Sequence, residues 1–193
     1  EVEQAFGQLV SQMDQGTYVI GYSEDKRVKR VLNQADEIGL KTDTFGSQII
    51  DFKSQGWGSD SELKIDSKEI RLHLDLPGRH NVLNALAAIK AVVKLGLDPQ
   101  QAADSLAGFS GCRRRLEKIG EVGQADLIDD YGHHPDQISA VLDSLRNVYP
   151  KKRIVAVFEP HQYERTWQLF DQFTQVWDKV DKLYLLPIYK IKG

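Results

Sequence analysis

Cysteine is almost absent from this sequence: Cys112 is the only one in 193 residues. A single thiol excludes an intrachain disulfide framework and fits a reducing compartment, so a cytoplasmic location is expected. Long apolar runs are lacking too. None approaches the roughly 18 residues that a membrane-spanning helix requires, and no membrane partner is expected. The acidic start at residues 1–6 has none of the basic-then-apolar pattern of a secretory signal. No excess of one charge sign exists either. The chain has 25 basic and 28 acidic residues and a formal net charge of −3, which gives no electrostatic case for binding nucleic acid. Neither GxxxxGKS/T nor GxGxxG occurs, so the sequence alone shows no phosphate cradle. The chain starts at Glu1 rather than Met and stops at Gly193, just after an apolar stretch. It reads as a piece of a longer polypeptide, carrying part of a site.

What is present is an ordinary globular balance, 41% hydrophobic and 27% charged, compatible with one or two domains. Residues 17–22 are β-rich and apolar. Ser23 follows as a candidate N-cap, with Val28, Val31 and Leu32 at helical spacing: a strand, a tight turn and a short helix. Residues 41–75 alternate instead. Ile70, Leu72 and Leu74 share one strand face, and residues 62–66 are a possible partner across the turn-like Asp66-Ser67-Lys68, which predicts a small antiparallel patch. From residue 80 to 95 the chain is almost continuously apolar and stops at Gly96, as a buried helix does. Asp98-Pro99 opens another helix, with Asp as cap and Pro at its first position, and Gly108 closes it. Beyond Cys112 a β-α-β-α-β rhythm sets in. Strands are expected near 126–130, 153–158 and 183–188, and helices at about 135–148 and 166–178. That alternation implies a parallel sheet with right-handed crossovers. A domain boundary is expected at Cys112, giving domains 1–112 and 113–193.

Two loops concentrate the chemistry. Asp129 to Pro135 (DDYGHHP) and Glu159 to Arg165 (EPHQYER) each follow a predicted strand and precede a helix, and they hold three of the five histidines. In an open α/β sheet, that carboxyl edge is where ligands bind. The plainer reading is that polar residues crowd loops and that Asp130 or His134 caps a helix. Zinc held by His133, His134, His161 and Asp130 is weakly supported, because adjacent histidines point apart and no cysteine or HExxH pattern accompanies them; no metal site is expected in the chain. Cys112 has no evident base nearby in sequence. The run Arg113-Arg114-Arg115 is either a solvated hinge or a phosphate clamp, since a guanidinium fork donates two parallel charge-assisted hydrogen bonds. Asn81 and Asn84 lie three apart on one face of the apolar helix. Their amides either bond a loop or pair with an adenine edge.

The motifs resemble those of the Mur ligases, the ATP-dependent amino-acid ligases of peptidoglycan synthesis. Residues 77–88 (PGRHNVLNALAA) resemble the family's helix motif. Arg114-Arg115-Leu116 resembles its arginine-containing junction, usually Arg-Arg-Phe. DDYGHHP and FEPHQYERT (residues 158–166) are more selective and look like the branch that adds the first amino acid, L-alanine, to UDP-N-acetylmuramate. The resemblance is good over residues 77–190 and loose over 1–76.

It implies a mixed α/β chain: the end of a P-loop-type central ATPase domain, then the first β-α-β-α-β part of a Rossmann-like parallel-sheet domain. The UDP-sugar domain, the P-loop and the Glu and His that hold magnesium would lie outside it. The implied reaction is phosphorylation of the muramate carboxylate by ATP to an acyl phosphate, attack by the alanine amine, and loss of phosphate, with magnesium and basic groups neutralising the transferring phosphoryl. ATP would meet Asn84 at adenine, with Asn81 also a cofactor-binding candidate, Asp130 at ribose and Arg115 at the phosphates. Tyr131, His133, His161 and Arg165 would form the amino-acid pocket, with Arg165 on the carboxylate and Arg115 and His133 as the catalytic groups. Two departures stand out: Glu159, where the family usually has Gln, and Gln162, where it often has Arg. Rival readings are a murein-tripeptide recycling ligase and a non-catalytic nucleotide-binding module. A fragment lacking the phosphate and metal grip is expected to be inactive alone.

Overall fold

The structure, a computed structural model, describes residues 2–189, which divide into two units. The first comprises residues 1–53, 59–75 and 79–109; the second comprises 54–58, 76–78 and 110–193.

In the first unit, helix α1 (Val2–Ser11) precedes strand β1 (Tyr18–Tyr22), helix α2 (Lys26–Glu37) and strand β2 (Lys41–Phe45). The cap of α2 is Asp25 rather than the expected Ser23. Its Oδ1 accepts the Arg27 and Val28 N–H groups at 2.7 and 3.4 Å, and the Arg27 guanidinium and backbone N–H bring its carboxyl down to about 2. The helix packs so closely on β1 that a Cβ on Gly21 would lie 2.5 Å from Val28 Cγ1. The crossover returns the chain alongside β1, so β2 pairs with it in parallel, from Tyr18↔Lys41 to Tyr22↔Phe45. Residues 41–45 therefore do not belong to the antiparallel patch expected over 41–75. That patch consists of β3 (Ile49–Gln55), β4 (Gly58–Ile65) and β5 (Lys68–Leu74), in the order β3-β4-β5. Leu63 faces Ile70 and Ser61 faces Leu72, and Leu63, Ile65, Ile70, Leu72 and Leu74 are all buried. Period-two alternation reported this face correctly.

Helix α3 (Arg79–Val93) buries Val82, Leu86 and Ile89. It also buries Lys90, whose ammonium lies 2.8 Å from Asp43 on β2, with Lys94 at 2.7 Å from the other carboxylate oxygen. Burial raises the Asp43 pKa, but the two ammonium groups outweigh it and the net direction is down. Helix α4 (Pro99–Asp104) is capped by Asp98 as expected but ends before Gly108.

In the second unit, β6 (Glu117–Val122) and β7 (Ala125–Asp129) form an antiparallel hairpin. Then come α5 (Pro135–Val148), β8 (Val155–Phe158), α6 (Tyr163–Gln168), α7 (Phe170–Gln175) and β9 (Lys182–Leu185). Strands β8 and β9 pair in parallel, Val155↔Lys182 to Phe158↔Leu185. Three expectations need correction here. The strand at 126–130 joins β6, and among the described residues it is not laddered to β8; a cavity of about 730 Å³ lies there, lined by Leu127, Ile128, Ile138, Leu142, Ala156 and Phe158. The single helix expected at 166–178 starts earlier and breaks at Leu169, which leaves helical geometry (φ −108°, ψ 18°). The third strand stops at Leu185, because Pro187 has no N–H to donate. Ile138, Leu142, Ile154 and Phe173 form the core of this unit. Arg146 ties it together at the Lys152 and Lys179 carbonyls and the Asp181 carboxylate.

One titration follows from the first unit. His73 on β5 lies 2.7 Å from Asp60 and 3.3 Å from Asp75. The hydrogen bond to Asp60, helped by Asp75, raises its pKa above the ordinary 6.5. A raised folded pKa stabilises the protonated form, so the contribution is fully present below 6.5 and is lost as pH rises through the higher folded value. Urea midpoints of the wild-type chain should fall over that window, and His73→Gln should flatten the dependence. An unchanged slope in His73→Gln would assign the effect elsewhere.

Candidate functional site

The site is built on the loop that leaves β7. Asp130 holds two segments at once: Oδ1 accepts the Gly132 N–H at 2.6 Å, and Oδ2 accepts the Leu116 N–H at 2.8 Å. Tyr131 N–H donates to the Arg114 carbonyl at 2.8 Å, and Arg114 N–H donates to Glu117 Oε2 at 2.7 Å. Arg114 and Leu116 sit at φ 58° and 48°, a left-handed region that costs a residue with a Cβ about 1–2 kcal/mol. The carboxylate bridge holds them there. It also needs Gly132, since a Cβ at that position would stand 2.8 Å from Asp130 Oδ1.

The ring of Tyr131 is the hub. The Arg114 guanidinium lies over it at 4.7 Å and Arg115 at 5.9 Å. His133 meets it edge-on at 5.4 Å, and His161 meets it at 6.3 Å. His133 Nδ1 is 3.1 Å from the Tyr131 carbonyl. A carbonyl only accepts, so Nδ1 carries the proton and Nε2 of the neutral ring keeps its lone pair. His134 turns away. Its Nδ1 caps α5 by accepting the Asp136 N–H at 3.3 Å, completed by Gln137 as a capping box.

The second loop leaves β8. Pro160 is buried, His161 follows, and Gln162 takes φ 69° before α6 begins. The Gln162 carbonyl accepts from Thr166 N–H and Oγ1. Arg165 is half-buried in α6, and among the described residues its guanidinium has no carboxylate partner. Glu159 and Gln162 are exposed.

The structure thus brings Arg115, Asp130, Tyr131, His133 and His161 together. Asn81 and Asn84 lie in the first unit on α3, one turn apart; Asn81 is half-buried and Asn84 exposed. The sequence marks Arg114 only within the arginine run 113–115 and the junction motif, whereas its guanidinium covers Tyr131 more closely than that of Arg115; it gives no role to Gly132 or to Tyr189, whose ring stacks on His161 at 5.0 Å. The Asp-x-Gly spacing could have signalled the carboxylate turn; nothing local marks Tyr189. Among the described residues no group of three or more His, Cys, Asp or Glu side chains is placed to hold a metal ion, and Cys112 is an exposed free thiol.

Residues 1–92 match the Mur ligase middle domain, and residues 114–190 match the Mur ligase glutamate ligase domain. The UDP-N-acetylmuramate--L-alanine ligase of Clostridium acetobutylicum is 36% identical over 193 residues, covering 98% of this chain and 42% of that protein. The ligase of the same name from Nitratidesulfovibrio vulgaris is 49% identical over 118 residues, 61% of this chain and 26% of its own length. Among solved structures, the UDP-N-acetylmuramate-alanine ligase of Thermotoga maritima aligns with TM-score 0.73 at 24% identity, over 97% of this chain and 41% of that one. This likeness is one of fold. The chain spans about two fifths of the full-length relatives that it matches from end to end.

The carboxylate bridge makes a direct prediction. A hydrogen bond to a charged acceptor contributes about 1.5–3 kcal/mol, so Asp130→Ala, which removes both acceptor oxygens, should speed amide hydrogen exchange at Leu116 and Gly132 together, and Gly132→Ala should do the same. Asp129→Asn should leave both amides protected. Acceleration at only one of the two amides in Asp130→Ala would show that the carboxylate does not couple the segments.

Proposed function

The chain belongs to the Mur ligase family, and from that premise we propose that its second unit carries the amino-acid pocket of a ligase joining L-alanine to UDP-N-acetylmuramate at the expense of ATP. The observation that supports this best is the meeting of Tyr131, His133 and His161 from two separate strand-end loops, with Arg165, which has no carboxylate partner among the described residues, four residues further along the chain in α6. A small amino acid needs two things: a cationic partner for its carboxylate and an acceptor near its amine. Arg165 supplies the first as a planar, permanently charged fork. The free Nε2 of His133 supplies the second and can take the proton that the amine loses on attack. His161 and Tyr131 wall the space between them.

ATP has fewer fixed points. Arg115 has no carboxylate partner among the described residues and is assigned to the phosphates. The Asp130 oxygens each retain a lone pair beyond the backbone N–H that they accept, which leaves room for a ribose hydroxyl. Asn81 and Asn84 are assigned to adenine. Bound ATP would supply the phosphoryl group that converts the muramate carboxylate into an acyl phosphate. Among the described residues no group of three or more His, Cys, Asp or Glu side chains is placed to hold magnesium. The functional boundary is placed at Cys112, and the location is taken as cytoplasmic.

Two results test the reading. The chain alone should give background phosphate release with muramate nucleotide, L-alanine and ATP, because gripping the transferring phosphoryl dominates this chemistry. In a ligase-length protein carrying these residues, Arg165→Ala should raise the alanine KM by about tenfold or more, since a charge-assisted bond contributes about 1.5–3 kcal/mol and 1.4 kcal/mol is tenfold. Gln162→Ala, which removes only neutral donors, should cost much less. Equal effects of the two substitutions would remove Arg165 as the anchor.

A further inference from the structure

The side chain of His161 is contacted by two neighbouring rings. Among the described residues its imidazole has no hydrogen bond and no ion pair. Tyr131 touches it at a tilt of 60° with centroids 6.3 Å apart; Tyr189 lies nearly flat on it, at 5.0 Å and 26°. The stack is set by the backbone. Strand β9 ends at Leu185, Leu186 N–H still reaches the Phe158 carbonyl at 2.9 Å, and Pro187 breaks the ladder. The chain then rejoins β8's extension: Tyr189 N–H donates to the Pro160 carbonyl at 2.9 Å, and His161 and Tyr189 form an isolated parallel bridge. Residues opposed across a bridge present their side chains on the same side, so this one rejoined pair forces the two rings face to face.

We propose that Tyr189 is a positioning residue for the amino-acid pocket: its ring fixes the plane of the His161 imidazole and so the direction in which the ring nitrogens face the bound amino acid. The role rests on the pocket proposed above. Tyr189 is half exposed, at 49%, so its ring contributes little to the unit's core, and its effect is expected at the site. The face of the ring carries the role, and the hydroxyl does not. Phenylalanine should therefore replace it and leucine should not.

The test uses the 193-residue chain labelled for NMR, with L-alanine as the probe. Stacking under Tyr189 shifts the His161 ring protons through the ring current. Tyr189→Leu should abolish that shift and weaken L-alanine binding roughly threefold to tenfold, the range that one aromatic pair spans. Tyr189→Phe should keep the shift and bind within about twofold of wild type. Backbone amides of β8 and β9 should stay in place in both variants, which separates positioning from unfolding. An L-alanine response that is equal in wild type and Tyr189→Leu would overturn the positioning role and leave the pocket standing. A lost ring shift in Tyr189→Leu, with no L-alanine response at His161 or Arg165 in the wild-type chain, would overturn the pocket itself and the role with it.

Discussion

One carboxylate organises the second unit's chemistry. Asp130 accepts a backbone N–H with each oxygen, one two residues ahead and one fourteen residues behind. The placements on the β7 side of the site follow from that bridge. It holds Arg114 and Leu116 in a left-handed backbone that side chains ordinarily avoid. It sets the Arg114 carbonyl to receive the Tyr131 N–H, and it fixes the Tyr131 ring beneath a guanidinium and beside two imidazoles. The cost is a glycine at 132, because no Cβ fits against the carboxylate. A carboxyl in this position serves structure first, and any bond to a nucleotide ribose uses what acceptor capacity remains.

The two motif loops divide the work differently. The loop after β7 is rigidly built, with a capping box at its far end and backbone bonds throughout. The loop after β8 is held at Pro160 and by Gln162's unusual φ, while its two candidate site side chains, His161 and Arg165, make no hydrogen bonds or ion pairs among the described residues. That contrast suits a pocket in which one wall is fixed and the other presents groups to a ligand. It also explains why a ring on a third segment, Tyr189, matters to the placement of His161.

Much of this was readable in the sequence where local chemistry decides the outcome. The alternation at Ile70, Leu72 and Leu74 marked a buried strand face, the 3.6-residue spacing of Ile138, Leu142 and Leu145 marked a buried helix face, and Asp98-Pro99 marked a helix start. The two loops stood out because histidine, tyrosine and carboxylates gathered after β-rich runs. What was missed depends on partners far along the chain. Residues 117–122 (EKIGEV) are mostly exposed and show no apolar alternation, so the strand that pairs with residues 125–129 was invisible, and those residues were assigned to a parallel sheet. Residues 41–45 are mostly polar and pair in parallel only because α2 brings them back beside β1. Asp130's bond to Leu116 and Tyr189's stack on His161 span 14 and 28 residues of sequence, respectively, and no local pattern encodes either. Asp25, in contrast, displaced Ser23 as a cap by a choice between two good capping residues two positions apart.

In the proposed reading, the ends of β7 and β8 together form a site for a small amino acid. A crystal structure of a ligase-length protein carrying these residues, grown with L-alanine and a non-hydrolysable ATP analogue, tests it most directly. The expected result is the alanine carboxylate on the Arg165 guanidinium, its amine toward His133 Nε2, and its methyl group against the rings of Tyr131 and His161, with the Asp130 bridge to Leu116 and Gly132 intact. Alanine bound elsewhere, or an Arg165 turned away to a protein carboxylate while the amino acid is bound, would contradict it.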